Sequence, residues 1–291
     1  MSETVVITGT ATGMGKASVA KFAAEGWNVV ATVRKDADET AHKDLPGVRT
    51  LLLDVNDEIS AADFAAAAIG QFGGVDALVN NAGHYLMGPV EACTMEQIHR
   101  QFQDNVFGLI ALTQAFIPHF RQHRSGAIVN VASLTAEQGY PYSAVYAASK
   151  SAVATFSEGL SLEVAQFGIT VRAVLPGQSA TRIFTKTDIA KGEKTAPYQA
   201  AINQFFTDNA PTGSDPAVTA EVIYQAVTDP DPVRVRYYSA PDSISISRAK
   251  QVLGQDGYWR EFREFVYGRP SQLWKTLTPA PGDKPIEWTL S

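Results

Sequence analysis

The chain has 291 residues, 45% hydrophobic and 19% charged, enough to bury the core of one large α/β domain. Its 24 Lys and Arg against 30 Asp and Glu leave a formal net charge of -6, which argues against a nucleic-acid partner, since phosphate-tracking binders carry a basic excess. A single cysteine, Cys93, excludes an internal disulfide and a Cys-rich metal site.

Short β-branched runs alternate with Ala-rich helical stretches along the first two-thirds of the chain. Strands are predicted over 5–7, 28–33, 48–53, 77–79, 127–131 and 170–175. Helices are predicted over 17–24, 59–72, 94–120, with a bend near Pro118, and 143–167. Leu51-Leu52-Leu53 suits a strand covered on both faces. A repeating β-α pattern predicts a single-domain, Rossmann-like α/β fold: a doubly wound parallel sheet with helices on both faces. Ligands of such sheets sit beyond the carboxyl ends of the strands, at the switch point.

The regularity fades after Pro176-Gly177, and residues 178–225 read as an excursion with short helices. A last strand is expected over 234–238. Residues 240–291 form a helical, aromatic-rich C-terminal extension carrying Tyr258, Trp259, Phe262, Phe265 and Tyr267. The start, Met1-Ser2-Glu3, lacks the basic and apolar regions of a signal peptide, and the apolar stretch Phe107–Phe116 is too short to span a bilayer. A cytoplasmic protein with no membrane contact is expected.

Three motifs fall at predicted strand ends. Thr8-Gly9-Thr10-Ala11-Thr12-Gly13-Met14-Gly15 joins the first strand to the first helix. Glycines there let the backbone approach a pyrophosphate, and the helix N-terminus offers N–H groups to it. The second strand ends in Val33 and is followed by Arg34-Lys35, where an acidic residue would instead hold the ribose of NAD. Two cations suit the 2′-phosphate of NADP, which Arg can grip with a bidentate fork. Asp36 and Asp38 stand too far along to take the ribose role.

Tyr146 and Lys150 are four apart in an Ala-rich helical segment, so they share a helix face. An ammonium beside a phenol favours the phenolate and brings its pKa toward neutrality, which acid–base catalysis needs. Tyr140 and Tyr142 lack a cation at that spacing. Ser133, just past the strand 127–131, can hydrogen-bond a substrate oxygen or simply cap a turn. His119 and His123 also stand four apart, but beside Arg121 and Arg124 at a helix end, where cations complement the dipole, so a metal role is set aside.

Taken together, Thr8–Gly15, Asp54-Val55, Asn80-Asn81-Ala82-Gly83, Asn105, Ser133, Tyr146-x-x-x-Lys150 and Pro176-Gly177 resemble, in order and approximate spacing, the motifs of the short-chain dehydrogenase/reductases. The resemblance implies that Gly9, Thr12, Gly13, Met14 and Gly15 line the cofactor pyrophosphate and that Asp54 and Val55 contact adenine. By the same resemblance Asn81, Ala82 and Gly83 support the central strand and ribose. Ser133, Tyr146 and Lys150 match the catalytic set, with Lys150 also holding the ribose, and Asn105 matches the residue that positions a water for proton relay. Pro176, Gly177 and Thr181 match the segment beside the nicotinamide, and Arg34, with help from Lys35, matches the basic position of NADP-preferring members.

The activity implied is NADP(H)-dependent reduction of a ketone or aldehyde, with a small neutral carbonyl or alcohol as substrate and a homodimer or homotetramer as assembly. The alternative is a catalytically silent NADP-binding regulator, which need not keep the catalytic side chains. His84, Tyr85, Glu137, Tyr140, Tyr142 and Gln178 are the candidate lining of the substrate pocket. The sequence departs from the family pattern at Thr12, where many NADP-dependent members carry a base, and in continuing past Tyr238.

Overall fold

The computed structural model describes residues 2–55, 60–179, 187–208 and 213–279. Seven parallel strands form one sheet: β1 (Thr4–Ile7), β2 (Asn28–Val33), β3 (Val48–Leu52), β4 (Ala77–Asn80), β6 (Gly126–Val131), β7 (Ile169–Pro176) and β9 (Arg236–Ser239). Their order is β3-β2-β1-β4-β6-β7-β9. The chain therefore winds outward from β1 in one direction, then returns and winds outward from β4 in the other. Adjacent strands β1 and β4 pair in register Val5 with Ala77 and Ile7 with Val79, so the switch point lies at their carboxyl ends. This is the doubly wound α/β architecture expected.

Side-chain alternation along the strands feeds two cores. Val5 and Ile7 of β1 point to one face with Val19 and Phe22 of α1 (Gly13–Ala24) and Ile223 and Ala226 of α7 (Pro216–Thr228). Val6 points to the other, with Phe64 of α2 (Ser60–Phe72), Phe116 and Phe120 of α4 (Gly108–His123) and Leu160 of α5 (Ala144–Val164). Phe22, Phe116 and Phe120 are fully buried, each contributing about 2–3 kcal/mol of transfer free energy.

Several elements differ from expectation for identifiable reasons. The stretch predicted as one helix over 94–120 is three pieces. After α3 (Met95–Phe102) a π turn over Gln103–Phe107 inserts before α4, and Pro118 lies within α4, which runs on to His123. Thr94 opens α3 with a capping box to Gln97. The first helix starts four residues early, at Gly13, because the Gly-rich turn leads straight into it. Two elements had no sequence signal of sufficient length: β5 (Leu86–Met87) and β8 (Asp188–Ile189) pair as a separate parallel ribbon. Between β8 and α7 lies the short α6 (Gln199–Asp208).

The extension is α8 (Pro241–Val266), broken at Gly254 (φ 65°, ψ 174°), followed by α9 (Gln272–Leu277). Tyr258, Phe262, Trp274 and Leu277 form a core of their own with Leu134 and Ile246, against which Tyr140 packs. Trp259, by contrast, is exposed. Among the described residues no helix is long and apolar enough to cross a membrane.

Candidate active site

Two loops meet at the switch point and are stitched by polar bonds. The Thr8 hydroxyl accepts from the N–H groups of Asn81 and Ala82 at 2.9 Å each. The Asn81 amide donates to the carbonyls of Thr8 (2.8 Å) and Gly9 (3.2 Å). Glycine is required here by contact: a Cβ on Gly15 would stand 2.4 Å from the Gly9 carbonyl oxygen, and one on Gly9 (φ +70°) would stand 2.9 Å from Ala82 Cα. Gly13 also has positive φ. Thr12 is the N-cap of α1 but makes no side-chain cap bond, and Met14 packs against the core. No acidic residue occupies the first turn of α1.

Arg34 and Lys35 follow β2 on the same side of the sheet. Both are exposed, and neither pairs with a described carboxylate. Asp54 and Val55 follow β3 there, and the Val55 carbonyl lies against Gly108 at the start of α4, where a Cβ would approach within 2.3 Å. The backbone-lined turn, the helix N-terminus free of acidic residues and the two exposed cations fit a phosphorylated dinucleotide.

Across the crevice, Tyr146 and Lys150 sit on α5, both buried, at 8% and 5% exposure. Lys150 Nζ donates to the Val131 carbonyl at the end of β6, 2.8 Å away, and lies beside Gly83. Burial lowers its pKa to about 8. Burial pushes the Tyr146 phenol above its ordinary range, a hydrogen bond with Ser133 pulls it partly back, and nearby Tyr85 raises it further. Lys150 is directed at the Val131 carbonyl, and desolvation dominates at Tyr146.

Ser133 caps the 3-10 turn Leu134–Ala136, its Oγ accepting from Thr135 N–H at 3.1 Å, and it stands close enough to Tyr146 to influence the phenol. Asn105 lies in the π turn, fully buried. Its Oδ1 accepts from His84 N–H (2.9 Å) while its Nδ2 donates to the His84 carbonyl (3.1 Å) and to Ser149 Oγ (3.1 Å). A Cβ on Gly83 would stand 2.9 Å from Asn105 Oδ1 and 3.5 Å from Lys150 Nζ, so Gly83 lets both groups reach the same point. Ser133, Tyr146, Lys150, Asn105 and Gly83 are thus gathered beside the carboxyl end of β6.

The remaining candidates divide. Gly177 closes β7, and Gln178 N–H donates to Asp242 Oδ2 at 2.7 Å. A Cβ on Gly177 would lie 1.8 Å from Asp242 Oδ1, which explains the glycine after Pro176. Thr181 lies outside the described residues. Of the pocket candidates, Tyr85 stands edge-on to Tyr146, and Tyr142 (φ 62°) packs on Phe205 of α6. Glu137 and the His84 ring are committed elsewhere, Glu137 to Arg236 and Lys250, His84 to Asp104. Tyr140 faces the extension's core rather than an open cleft. His119 bonds the backbone of Val75, and no metal cluster occurs among the described residues.

Asp242 was missed by sequence reasoning. Its only signal was Ala240-Pro241-Asp242, a helix-start pattern with an acid in the first turn. The buried ladder Thr113–Asn80–Asn130–Ser157, which ties β4 to β6 below the crevice, was also missed.

A model of the short chain dehydrogenase family matches residues 3–192. An uncharacterized oxidoreductase of Bacillus subtilis is 32% identical over 246 residues, covering 80% of this chain and 87% of the relative. A solved short-chain dehydrogenase from Streptomyces avermitilis superposes with a TM-score of 0.75 at 29% identity, covering 92% of this chain and 99% of that one. A variant of actinorhodin polyketide ketoreductase, solved with NADPH, superposes with a TM-score of 0.71 at 25% identity, covering 81% and 95%. The family match spans six of the seven strands of the sheet, all but β9, and takes in both stitched loops and the α5 pair; the chain belongs to the short-chain dehydrogenase family, and is an oxidoreductase of that family.

Proposed function

We propose that the protein is an NADP(H)-dependent oxidoreductase that reduces a ketone or aldehyde to an alcohol, reversibly, with Tyr146 as proton donor. The observation that carries this reading is the gathering of Ser133, Tyr146 and Lys150 in a buried group beside the carboxyl end of β6. When bound, the nicotinamide supplies the hydride. Gly9, Thr12, Gly13, Met14 and Gly15 would hold the pyrophosphate, Arg34 and Lys35 the 2′-phosphate, and Asp54 and Val55 the adenine. Asn81, Ala82, Gly83, Pro176 and Gly177 would border the ribose and nicotinamide. Support for NADP comes from these exposed cations and from the ketoreductase relative solved with NADPH.

The substrate oxygen lies between the Ser133 hydroxyl and the Tyr146 phenol. Ser133 donates to that oxygen as charge develops on it, and Tyr146 gives its proton to it. A phenol kept protonated by burial is in the right state for this direction. Lys150, with a pKa near 8, remains largely charged at neutral pH and passes a proton inward as Tyr146 loses one. Asn105 fixes the backbone of His84 and the position of Ser149 beside this route. The substrate is a small neutral carbonyl compound or its alcohol.

The test is NADPH consumption over a panel of carbonyl compounds. Tyr146→Phe is expected to lower turnover by roughly 10²–10⁴-fold while NADPH affinity is retained. Wild-type turnover by that variant would refute the assignment. NADPH binding without turnover on every compound would favour a silent regulator instead.

A further inference from the structure

We propose that the C-terminal extension is a positioning element for the reaction, acting through Lys250 and Glu137 to hold the turn that aims Ser133. The proposal rests on the reading that Ser133 and Tyr146 meet the reacting oxygen.

The Ser133 hydroxyl has its direction fixed by the turn it caps. Thr135 N–H binds its Oγ, Ala136 N–H binds its carbonyl at 2.9 Å, and Glu137 N–H closes on Leu134 at 2.9 Å. The outer end of that turn is gripped from the extension. Lys250 Nζ on α8 donates to the Glu137 carbonyl at 2.6 Å, and reaches its carboxylate at 3.4 Å. The Glu137 side chain is only 8% exposed and also receives Arg236 and the Tyr238 hydroxyl (2.9 Å), both from β9. Arg236 in turn binds Glu158 on α5, the helix that carries Tyr146 and Lys150. Burial alone would raise the Glu137 pKa, but Tyr238, Arg236 and Lys250 together hold the carboxyl below its usual range.

Apolar packing grips the same loop at two further points. Leu134, next to Ser133, is buried among Ile246, Tyr258, Phe262 and Trp274. Tyr140 stands edge-on to Phe262 at 5.3 Å. The loop that separates the two proposed catalytic hydroxyls is therefore seated in the extension by a salt bridge, a charged donor on its backbone and two apolar anchors. Lys250 bonds neither Ser133 nor Tyr146 among the described contacts, so its effect on the reaction passes through the Glu137 end of the turn. Misplacement of a reacting group by about 1 Å can cost roughly 10²-fold in rate, so a loosened turn registers in kcat.

The experiment uses the full chain and Lys250→Met, with Lys250→Arg as the conservative variant and Val252→Ser, at an exposed position of the same helix, as control. Amide hydrogen exchange over residues 134–140 is expected to quicken by roughly tenfold or more in Lys250→Met, with β1 unchanged. With NADPH affinity preserved, kcat is expected to fall by roughly tenfold or more. Lys250→Arg restores both and Val252→Ser alters neither. Unchanged exchange in 134–140 overturns the proposal whatever the activity, and so does faster exchange with an unchanged kcat. If Lys250→Met does not fold, Glu137→Gln, which keeps the side-chain shape, takes its place with the same expected results. Failure of the underlying reading shows separately, as wild-type turnover by Tyr146→Phe.

Discussion

The ring of Tyr85 stands edge-on to the ring of Tyr146, with centroids 4.6 Å apart and planes at 89°. The Tyr85 hydroxyl bonds Ser143, the residue that opens α5. Tyr85 thus braces both the proposed proton donor and the helix end that carries it. An edge-to-face pair is worth about 0.5–1.5 kcal/mol beyond its buried area. Tyr85→Ala should lower kcat by up to about tenfold, whereas Tyr85→Phe, which keeps the ring, should stay near wild type. Steady-state kinetics at saturating NADPH distinguish the two; equal loss in both variants would shift the weight to the Ser143 bond.

Cofactor choice is assigned to the cations after β2. Val33→Asp combined with Arg34→Ala places an acid where a ribose hydroxyl would sit and removes the bidentate fork. The ratio of kcat/KM for NADPH over NADH should fall, by roughly tenfold or more for the loss of one charge-assisted contact. An unaltered ratio would remove the 2′-phosphate role from Arg34.

Lys150 makes stability depend on pH in a definite direction. Its pKa is about 8 in the fold against an ordinary 10.5. Above 10.5 the amine is neutral in both folded and unfolded chains, and burial costs nothing. Below 8 it is charged in both, and the fold bears the full cost of a buried ammonium, about 3 kcal/mol. Between these values the unfolded chain holds a proton that the folded one does not, so this group's contribution rises with pH. Denaturant titrations of wild type and Lys150→Met from pH 7 to 10 should converge as that penalty is relieved. Parallel profiles would contradict the buried-ammonium account.

Arg172 is buried in β7, and its guanidinium binds three carbonyls: Ala226 at 2.7 Å, Asp229 at 2.6 Å and Asp231 at 2.7 Å. It fastens the end of α7 and the following turn to the sheet. Arg172→Met keeps much of the volume but strands those acceptors, at a cost of about 3 kcal/mol or more. Thermal unfolding should shift downward by several degrees, roughly 2–4 °C per kcal/mol for a chain of this class. A shift under one degree would mean that water replaces the side chain without penalty.

The inner sheet was legible because a parallel strand covered on both faces writes itself as a continuous apolar run, as Val5-Val6-Ile7 does; Leu51-Leu52-Leu53 promised the same and does not deliver it, because β3 is the edge strand, Leu52 is exposed and Leu53 lies beyond the strand. The pairing of Tyr146 with Lys150 was legible because four residues on a helix is a fixed distance. Neither kind of rule reaches Asn105, whose orientation depends on a π turn with no composition of its own. Nor does it reach Asp242, which stands 65 positions from the Gly177 it meets. Sequence spacing shows which groups are neighbours, but not how much water they lose, and at Tyr146 that loss is the largest influence on the phenol.

The grip of Lys250 on Glu137 joins residues 113 positions apart. At about 5–20 residues per second of synthesis, the lysine leaves the ribosome roughly 6–23 s after the glutamate. Throughout that interval Leu134 and Tyr140 have no aromatic bed to lie in. The nascent chain therefore carries an oily, unpartnered loop until the extension that seats it has been synthesised.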